Sequence, residues 1–330
     1  MTKRTLLLCM ALCLSLIQGY SQAYEYEYGT NKFVQLGLNL NSLFQNNPAA
    51  GSGESQFGLG LNADLGYVVQ KYKSILETDI NLSFSLQKSG NDPINKGNDK
   101  IHIASHYAFT TSYSSNWYTA ADLTIKSQFA PTYDGNTLSN LGDSLNLLSS
   151  FLSPLRMEFS LGEEYRFPQS PFYFFGGVAY NLMYVANDEI AQFAARDKDG
   201  NVIGSLHGNP LDGKALSQAG LTLKSRYRGF IVEDKLSYET DFNFFIDLLK
   251  RDAGFKKDNS PIDIEWNNNI AYIITPGISI NLTFDLLYDK DIVFVSDSDE
   301  ETGRDNFTKE GVSINSNFLL TVRKTFGNED

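Results

Sequence analysis

Few residues in this chain have the types and spacing that chemistry requires. His102 and His106 stand four positions apart, with Ser105 beside the second. A serine, a histidine and a group that orients the histidine would form a nucleophilic site, such as a barrel enzyme acting on lipid would need. Two histidines would supply half of a metal site. Both options fail on a strand. Neighbouring residues point to opposite faces, so Ser105 faces away from both rings. Residues i and i+4 lie about 13 Å apart on a strand, too far for one metal ion. The histidines read as polar residues of an inner wall. No catalytic, cofactor-binding or metal-binding residue is expected, and no cofactor.

Two acidic stretches invite a calcium reading. Asp297-Ser298-Asp299-Glu300-Glu301 offers several carboxylates but lacks the glycine and spacing of an EF-hand. It reads as a solvated loop. Asp197-Lys198-Asp199-Gly200-Asn201 begins like a calcium loop and reads more simply as a turn.

A larger set of charges falls on one face of the chain's alternating segments. Candidate lumen-lining residues are Asp79, Lys126, Arg156, Glu158, Arg166, Lys224, Arg226, Glu265, Asp285 and Arg323. Asp64, Glu77, Asp122, Glu164, Glu233, Lys235 and Asp263 share that face. Such charges set solute selectivity on a water-filled wall, or pair across a narrow barrel and close it.

The elements that carry these residues are strands. A membrane strand alternates lipid-facing with lumen-facing residues. Segment 278–288 sets Ile278, Ile280, Leu282, Phe284, Leu286 and Tyr288 against Ser279, Asn281, Thr283 and Asp285. Twelve such segments run along the chain: 32–43, 56–69, 74–88, 100–113, 116–128, 154–167, 172–185, 215–227, 230–243, 262–274, 278–288 and 312–326. The links between them alternate long and short. Loops 44–55, 89–99, 129–153, 186–214, 244–261 and 289–311 are long, while 70–73, 114–115, 168–171, 228–229 and 275–277 are short. That rhythm predicts an all-β, up-and-down antiparallel transmembrane barrel with one elaborate rim and short periplasmic turns. Within loop 129–153, the apolar spacing of Leu141, Leu145, Leu148 and Phe151 predicts a short amphipathic helix over 140–151.

The flanks fit that reading. Lys3 and Arg4, the apolar run Leu6 to Ile17, and small Ser21 and Ala23 predict a signal peptide over 1–23. It is too short to span a bilayer as a helix. Cys9 and Cys13 both lie in it, so the mature chain is expected to hold no thiolate site. Its removal takes the formal charge from −12 to −14, an acidic balance unsuited to nucleic acid. A periplasmic segment over 24–31, the barrel over 32–326 and a tail over 327–330 complete the expected domains. Aromatic residues near many segment ends, among them Trp117, Phe167, Tyr227 and Tyr272, suit interfacial belts. Phe326, on the apolar face of the last strand, looks like a signal read by barrel-assembly machinery.

The chain resembles a family of uncharacterised bacterial outer-membrane barrels known only as a domain of unknown function. The stretches that carry the resemblance are Leu36-Gly37-Leu38-Asn39-Leu40-Asn41, Phe151-Leu152-Ser153-Pro154-Leu155-Arg156, and Ile264-Glu265-Trp266 with Leu286-Leu287-Tyr288-Asp289-Lys290-Asp291. The family pattern has a tryptophan in the first loop, and Asn46 to Gly51 has none. The resemblance implies an outer-membrane location and a barrel, and no reaction.

The expected function is a passive channel, transport or accessory envelope barrel that acts through its lumen and long loops and does no chemistry. A lipid-acting enzyme and a soluble secreted binding protein are the alternatives. The expected partners are outer-membrane lipid and the assembly machinery.

Overall fold

The computed structural model describes residues 22–23, 29–43, 56–89, 94–111, 115–138, 145–168, 170–249, 262–289, 293–298, 305–308 and 312–327. Twelve long strands dominate: β1 (Gly29–Leu43), β2 (Gln56–Lys71), β3 (Ser74–Ser89), β4 (Asn95–Phe109), β5 (Trp117–Ser127), β6 (Leu155–Arg166), β7 (Phe172–Tyr184), β8 (Ala215–Val232), β9 (Leu236–Asp247), β10 (Ile262–Thr275), β11 (Ile278–Tyr288) and β12 (Ser313–Gly327). Each pairs antiparallel with the next, and β12 returns to β1, with Leu320 opposite Leu40 and Phe326 opposite Val34. The sheet is a closed ring of 12 strands with no free edge.

Alternation explains why these residues close in this way. Leu36, Leu38 and Leu40 of β1, Leu59, Leu61 and Leu65 of β2, and Ile314, Phe318 and Leu320 of β12 are exposed on the outer face. Leu61 is 60% exposed and Phe318 62%. A ring of large apolar side chains turned outward suits lipid, because a water-soluble barrel keeps such patches small. In lipid every backbone N–H and C=O must be paired within the protein, and ring closure achieves that. The chain is a transmembrane β-barrel. At the rim of short turns, aromatic rings touch from strand to strand: Trp117 with Tyr165 at 5.1 Å, Tyr165 with Phe167 at 5.0 Å, and Tyr227 with Tyr238 at 5.8 Å. This is half of the expected aromatic belt.

Several element boundaries differ from the sequence reading. β1 begins at Gly29, within the segment expected to precede the barrel, and β4 ends at Phe109 instead of 113. Residues 95–99 extend β4 instead of ending a loop, pairing Asn95 and Lys96 with Gln87 and Leu86 beyond a bulge. Backbone pairing continues past the apolar pattern, since strands that project into water need no lipid-facing side. The turn placed at 228–229 falls instead at 233–235. Asp234 takes a positive φ there, and Arg228 and Gly229 stay paired with Glu239 and Tyr238. The helix expected over 140–151 is not formed over its described part. Leu147–Ser149 is a strand paired with Thr132–Tyr133.

Three long loops join into a cap on the long-loop rim. Helix α1 (Asp188–Ala191) is capped by the Asn187 side chain, which accepts from the N–H groups of Glu189 and Ile190. It packs with Leu148, Val185, Ala195, Leu206 and Phe307 into a small apolar core that also takes Met183 from the barrel wall. Asn209 stitches the cap together by donating to the carbonyls of Ala191 and Gly213, each at 2.8 Å.

Of the flanks, Gln22–Ala23 pair with Phe230 and Gly229 of β8, while the rest of 1–28 and the tail 328–330 lie outside the described residues.

Candidate functional site

The lumen wall divides by charge into arcs. Strands β9, β10 and β11 contribute Asp241, Asp263, Glu265 and Asp285 and contain no lysine or arginine at all. Strands β4, β5, β6 and β8 carry both signs: Lys100, Lys126, Arg156, Arg166, Lys224, Arg226 and Arg228 beside Asp122, Glu158 and Glu164. Between β11 and β1 neutral side chains meet. Asn281 donates to the Thr321 hydroxyl at 2.8 Å, and Thr321 donates to Asn39 at 2.9 Å.

Opposite charges meet across the interior. Lys126 of β5 donates to both carboxylate oxygens of Glu265 of β10, at 2.5 and 2.7 Å. Arg228 of β8 reaches Asp79 of β3 at 3.2 Å. Lys224 of β8 contacts Glu158 of β6 at 2.5 Å and Asp122 of β5 at 3.1 Å. Arg226 pairs with Asp241 on the neighbouring strand, and Arg156 lies 3.6 Å from Asp289. The Lys126 contact constrains the barrel's shape. A circular ring of 12 strands would measure roughly 24 Å across at about 4.8 Å per strand and about 40° of tilt. A lysine and a glutamate extended tip to tip reach only about 13 Å with bonds near 1.5 Å. The cross-section is therefore flattened where β5 faces β10. Gly162, Gly177 and Gly220 take up sharp wall curvature elsewhere. A Cβ at any of them would overlap a backbone carbonyl oxygen of the adjoining strand, at Gly176, Leu161 and Ile246 respectively.

Nearer the short-turn rim lies a cluster that was not foreseen. His106 and Asp122 are direct cross-strand partners, and Nδ1 of the ring meets the carboxylate at 2.6 Å. The other oxygen of Asp122 accepts from Ser160 at 3.2 Å and Lys224 at 3.1 Å. Nε2 of His106 lies 3.1 Å from Glu164 Oε2 and 3.2 Å from Arg166 Nη2. Arg166 in turn donates to Glu164 Oε1 at 2.5 Å. Tyr173 stacks on the His106 ring at 5.5 Å. His106 and Glu164 are buried, and an apolar layer of Val68, Ile75, Ala108, Ala120 and Phe175 lies alongside. The sequence placed His106, Asp122, Glu164, Arg166 and Lys224 on the inner face. Strand register brought them together, and no spacing along the chain signals that.

The other candidates fall as follows. His102 contacts Asn81 at 3.2 Å, and Asn81 donates to Asp64 at 2.9 Å, a chain running from β4 to β2. Ser105 faces outward and shares a hydrogen bond with Thr78 at 3.1 Å, away from both histidines as its strand position requires. Asp79, Lys126, Arg156, Glu158, Lys224, Arg226 and Glu265 border the interior cavities, Asp285 is the cross-strand partner of Asn267 on that wall, and Arg166 lies lower down. Glu233 and Lys235 do not line it, because the later turn places them on the rim. The side chains of Arg323 and Phe326 lie outside the described residues, and so do residues 299–301 of the acidic run. Asp197 closes its turn by accepting from the N–H groups of Asp199 and Asn201, at 3.0 and 2.8 Å.

Two cavities follow the lumen. One, of about 120 Å³, is lined by Glu77, Asp79, His102, Asp122 and Arg226 among others. The second, also of about 120 Å³, reaches Arg156, Gln218, Asp263 and Asp289. Both are bordered by Thr124, Lys126, Glu158, Asn243 and Glu265, so the two spaces meet at the Lys126–Glu265 bridge.

Solved barrels are similar in architecture. The COG4313 outer membrane channel from Pseudomonas putida F1 is 11% identical, with 92% of this chain and 98% of that chain covered and a TM-score of 0.42. The translocator domain of autotransporter NalP from Neisseria meningitidis is 11% identical over 96% and 94%, at 0.37. OmpT of Vibrio cholerae is 10% identical over 92% and 100%, at 0.32. With each of them this chain shares the barrel and nothing finer. The expectation that the barrel does no chemistry is withdrawn on this ground. What it shares with neighbours such as OmpT is the fold alone, a fold excludes no reaction, and the lumen holds a histidine between two carboxylates. No curated protein matches the chain in sequence. Residues 38–133, from within β1 to the loop after β5, match the family described as "Protein of unknown function (DUF3078)", which bears out the resemblance read from the motifs.

Proposed function

We propose that the chain is an outer-membrane channel that admits small charged solutes to a lumen walled by opposite charges. One observation carries this reading. The two cavities meet along the barrel interior, and their walls are lined by lysine, arginine, aspartate and glutamate. A barrel filled for stability alone would be packed with side chains and leave no such space. The cap and the Lys126–Glu265 bridge narrow the path, so passage is selective rather than general. In this reading a signal peptide over 1–23 carries the chain across the inner membrane. The assembly machinery then reads the last strand at Phe326. The short turns face the periplasm, and the cap faces outward.

The test is single-channel recording of the full chain refolded into a planar bilayer. Discrete conductance steps are expected. Their amplitude should rise when Lys126→Met and Glu265→Met are combined, because the bridge that narrows the lumen is gone. A folded barrel that carries no current in either form would end the channel reading.

A further inference from the structure

The bridge between Lys126 and Glu265 stands at the neck where both cavities meet. Each of the two side chains is 32% exposed, so the pair is hydrated rather than sealed. A bridge in that setting is held weakly and opens readily. What replaces it is decided by the walls. On the side of Glu265, strands β9 to β11 present carboxylates and no base. On the side of Lys126 stands Lys100, which makes no ion pair within 4 Å among the described residues. A monoanion entering the neck would satisfy Lys126 and leave Glu265, beside Asp285 and Asp263, with only the more distant Lys100 as counter-charge. A monocation would satisfy Glu265 and leave Lys126 beside Lys100. A solute that fills one side of the bridge and leaves the other unmatched is therefore disfavoured against one that fills both.

A solute with both charges replaces both partners at once. We propose that this neck is a binding site for small zwitterions of amino-acid or dipeptide size, whose ammonium group meets Glu265 and whose carboxylate meets Lys126. The spaces on either side, each of about 120 Å³ and so with room for roughly ten waters, hold a solute of that size before and after it parts the bridge. The proposal rests on the channel reading only in requiring that solutes reach the lumen.

The full chain, folded in detergent at neutral pH and low salt, is titrated calorimetrically with three probes: glycylglycine, its N-acetyl derivative, which is anionic, and its C-terminal amide, which is cationic. Glycylglycine is expected to bind at least about ten-fold more tightly than either, a difference of about 1.4 kcal/mol. The Lys126→Met/Glu265→Met double variant, its folding checked by a heat-modifiable gel band, should lose that preference. The exchange Lys126→Glu/Glu265→Lys retains the bridge in reverse and should keep it. Equal affinity for the three probes, no binding of any, or a preference that survives the double methionine variant overturns the proposal. So does a folded exchange variant without the preference. Conductance is scored separately. Selective binding by a silent barrel leaves the site and removes the channel, and a conducting barrel indifferent to the probes does the reverse.

Discussion

Asp122 concentrates more of the lumen's chemistry than any other single side chain. It accepts from His106, Ser160 and Lys224 together, and each contact comes from a different strand. Removing its charge leaves His106 and Lys224 facing a neutral amide in an enclosed space. Asp122→Asn is expected to destabilise the barrel by about 3 kcal/mol, the usual cost of breaking an enclosed ion pair from one side. Urea unfolding from detergent micelles measures this, and an unchanged midpoint would count against the cluster as a structural lock. The inner-face position of Asp122 was legible from alternation alone. Its meeting with His106 was not, because that depends on which residue of β5 falls opposite which residue of β4. Asn268 teaches the converse. It interrupts the apolar face of β10, yet its amide accepts from Tyr238 and Thr240 and donates to the Phe284 carbonyl. A polar group on the lipid side is tolerated where neighbouring strands satisfy it.

At the scale of elements, the glycines of β6, β7 and β8 and the cap each make a prediction. Gly162 and Gly177 are cross-strand partners whose backbones leave no room for side chains. Gly162→Val should cost about 1–3 kcal/mol through forced backbone shifts, or prevent closure of the ring. Loss of the heat-modifiable band reports this, whereas Gly200→Ala in the exposed cap turn should leave the band intact. His207 governs the cap's response to acid. Burial pushes its imidazole down to about 4, aided by the nearby charge of Arg156, while its Nε2 meets the Leu148 carbonyl at 3.1 Å. An unfolded histidine titrates near 6.5, so between these values the opened cap takes up a proton that the closed cap refuses. Cap stability is therefore full above about pH 6.5, declines as pH falls and has lost this contribution below about pH 4. Limited proteolysis of the outer loops should accelerate about ten-fold or more from pH 7 to pH 4 while the barrel stays intact. A His207→Gln variant should flatten that profile.

For the whole molecule, the lipid face and the lumen wall should tolerate polar substitution differently. Leu61→Arg places a cation on the lipid side of β2 and is expected to cost about 2–4 kcal/mol. Thr124→Ser on the lumen wall should stay within about 0.5 kcal/mol of the parent. Refolding into lipid vesicles against urea separates the two, and similar costs at both sites would contradict the assignment of lipid and lumen. The flattened section follows from the same global view. A ring of this strand number has room for an open interior, and whether it keeps one depends on how the wall bends.

The sequence by itself determined the ring. A period of two over twelve segments, with long and short links in turn, leaves antiparallel closure as the arrangement that pairs every strand and turns one face to lipid. It also holds the charge of one wall, since the absence of lysine and arginine from β9 to β11 is plain from the residues alone. Exact strand ends were legible only where the apolar pattern stops with the strand, which is why β4 and β8 run further than their patterns suggest. The tertiary structure alone decided which charges meet. Lys126 and Glu265 are 139 residues apart and on strands five places apart around the ring, so no local pattern links them. Their contact exists because bending of the barrel wall brings two distant strands within reach of their side chains.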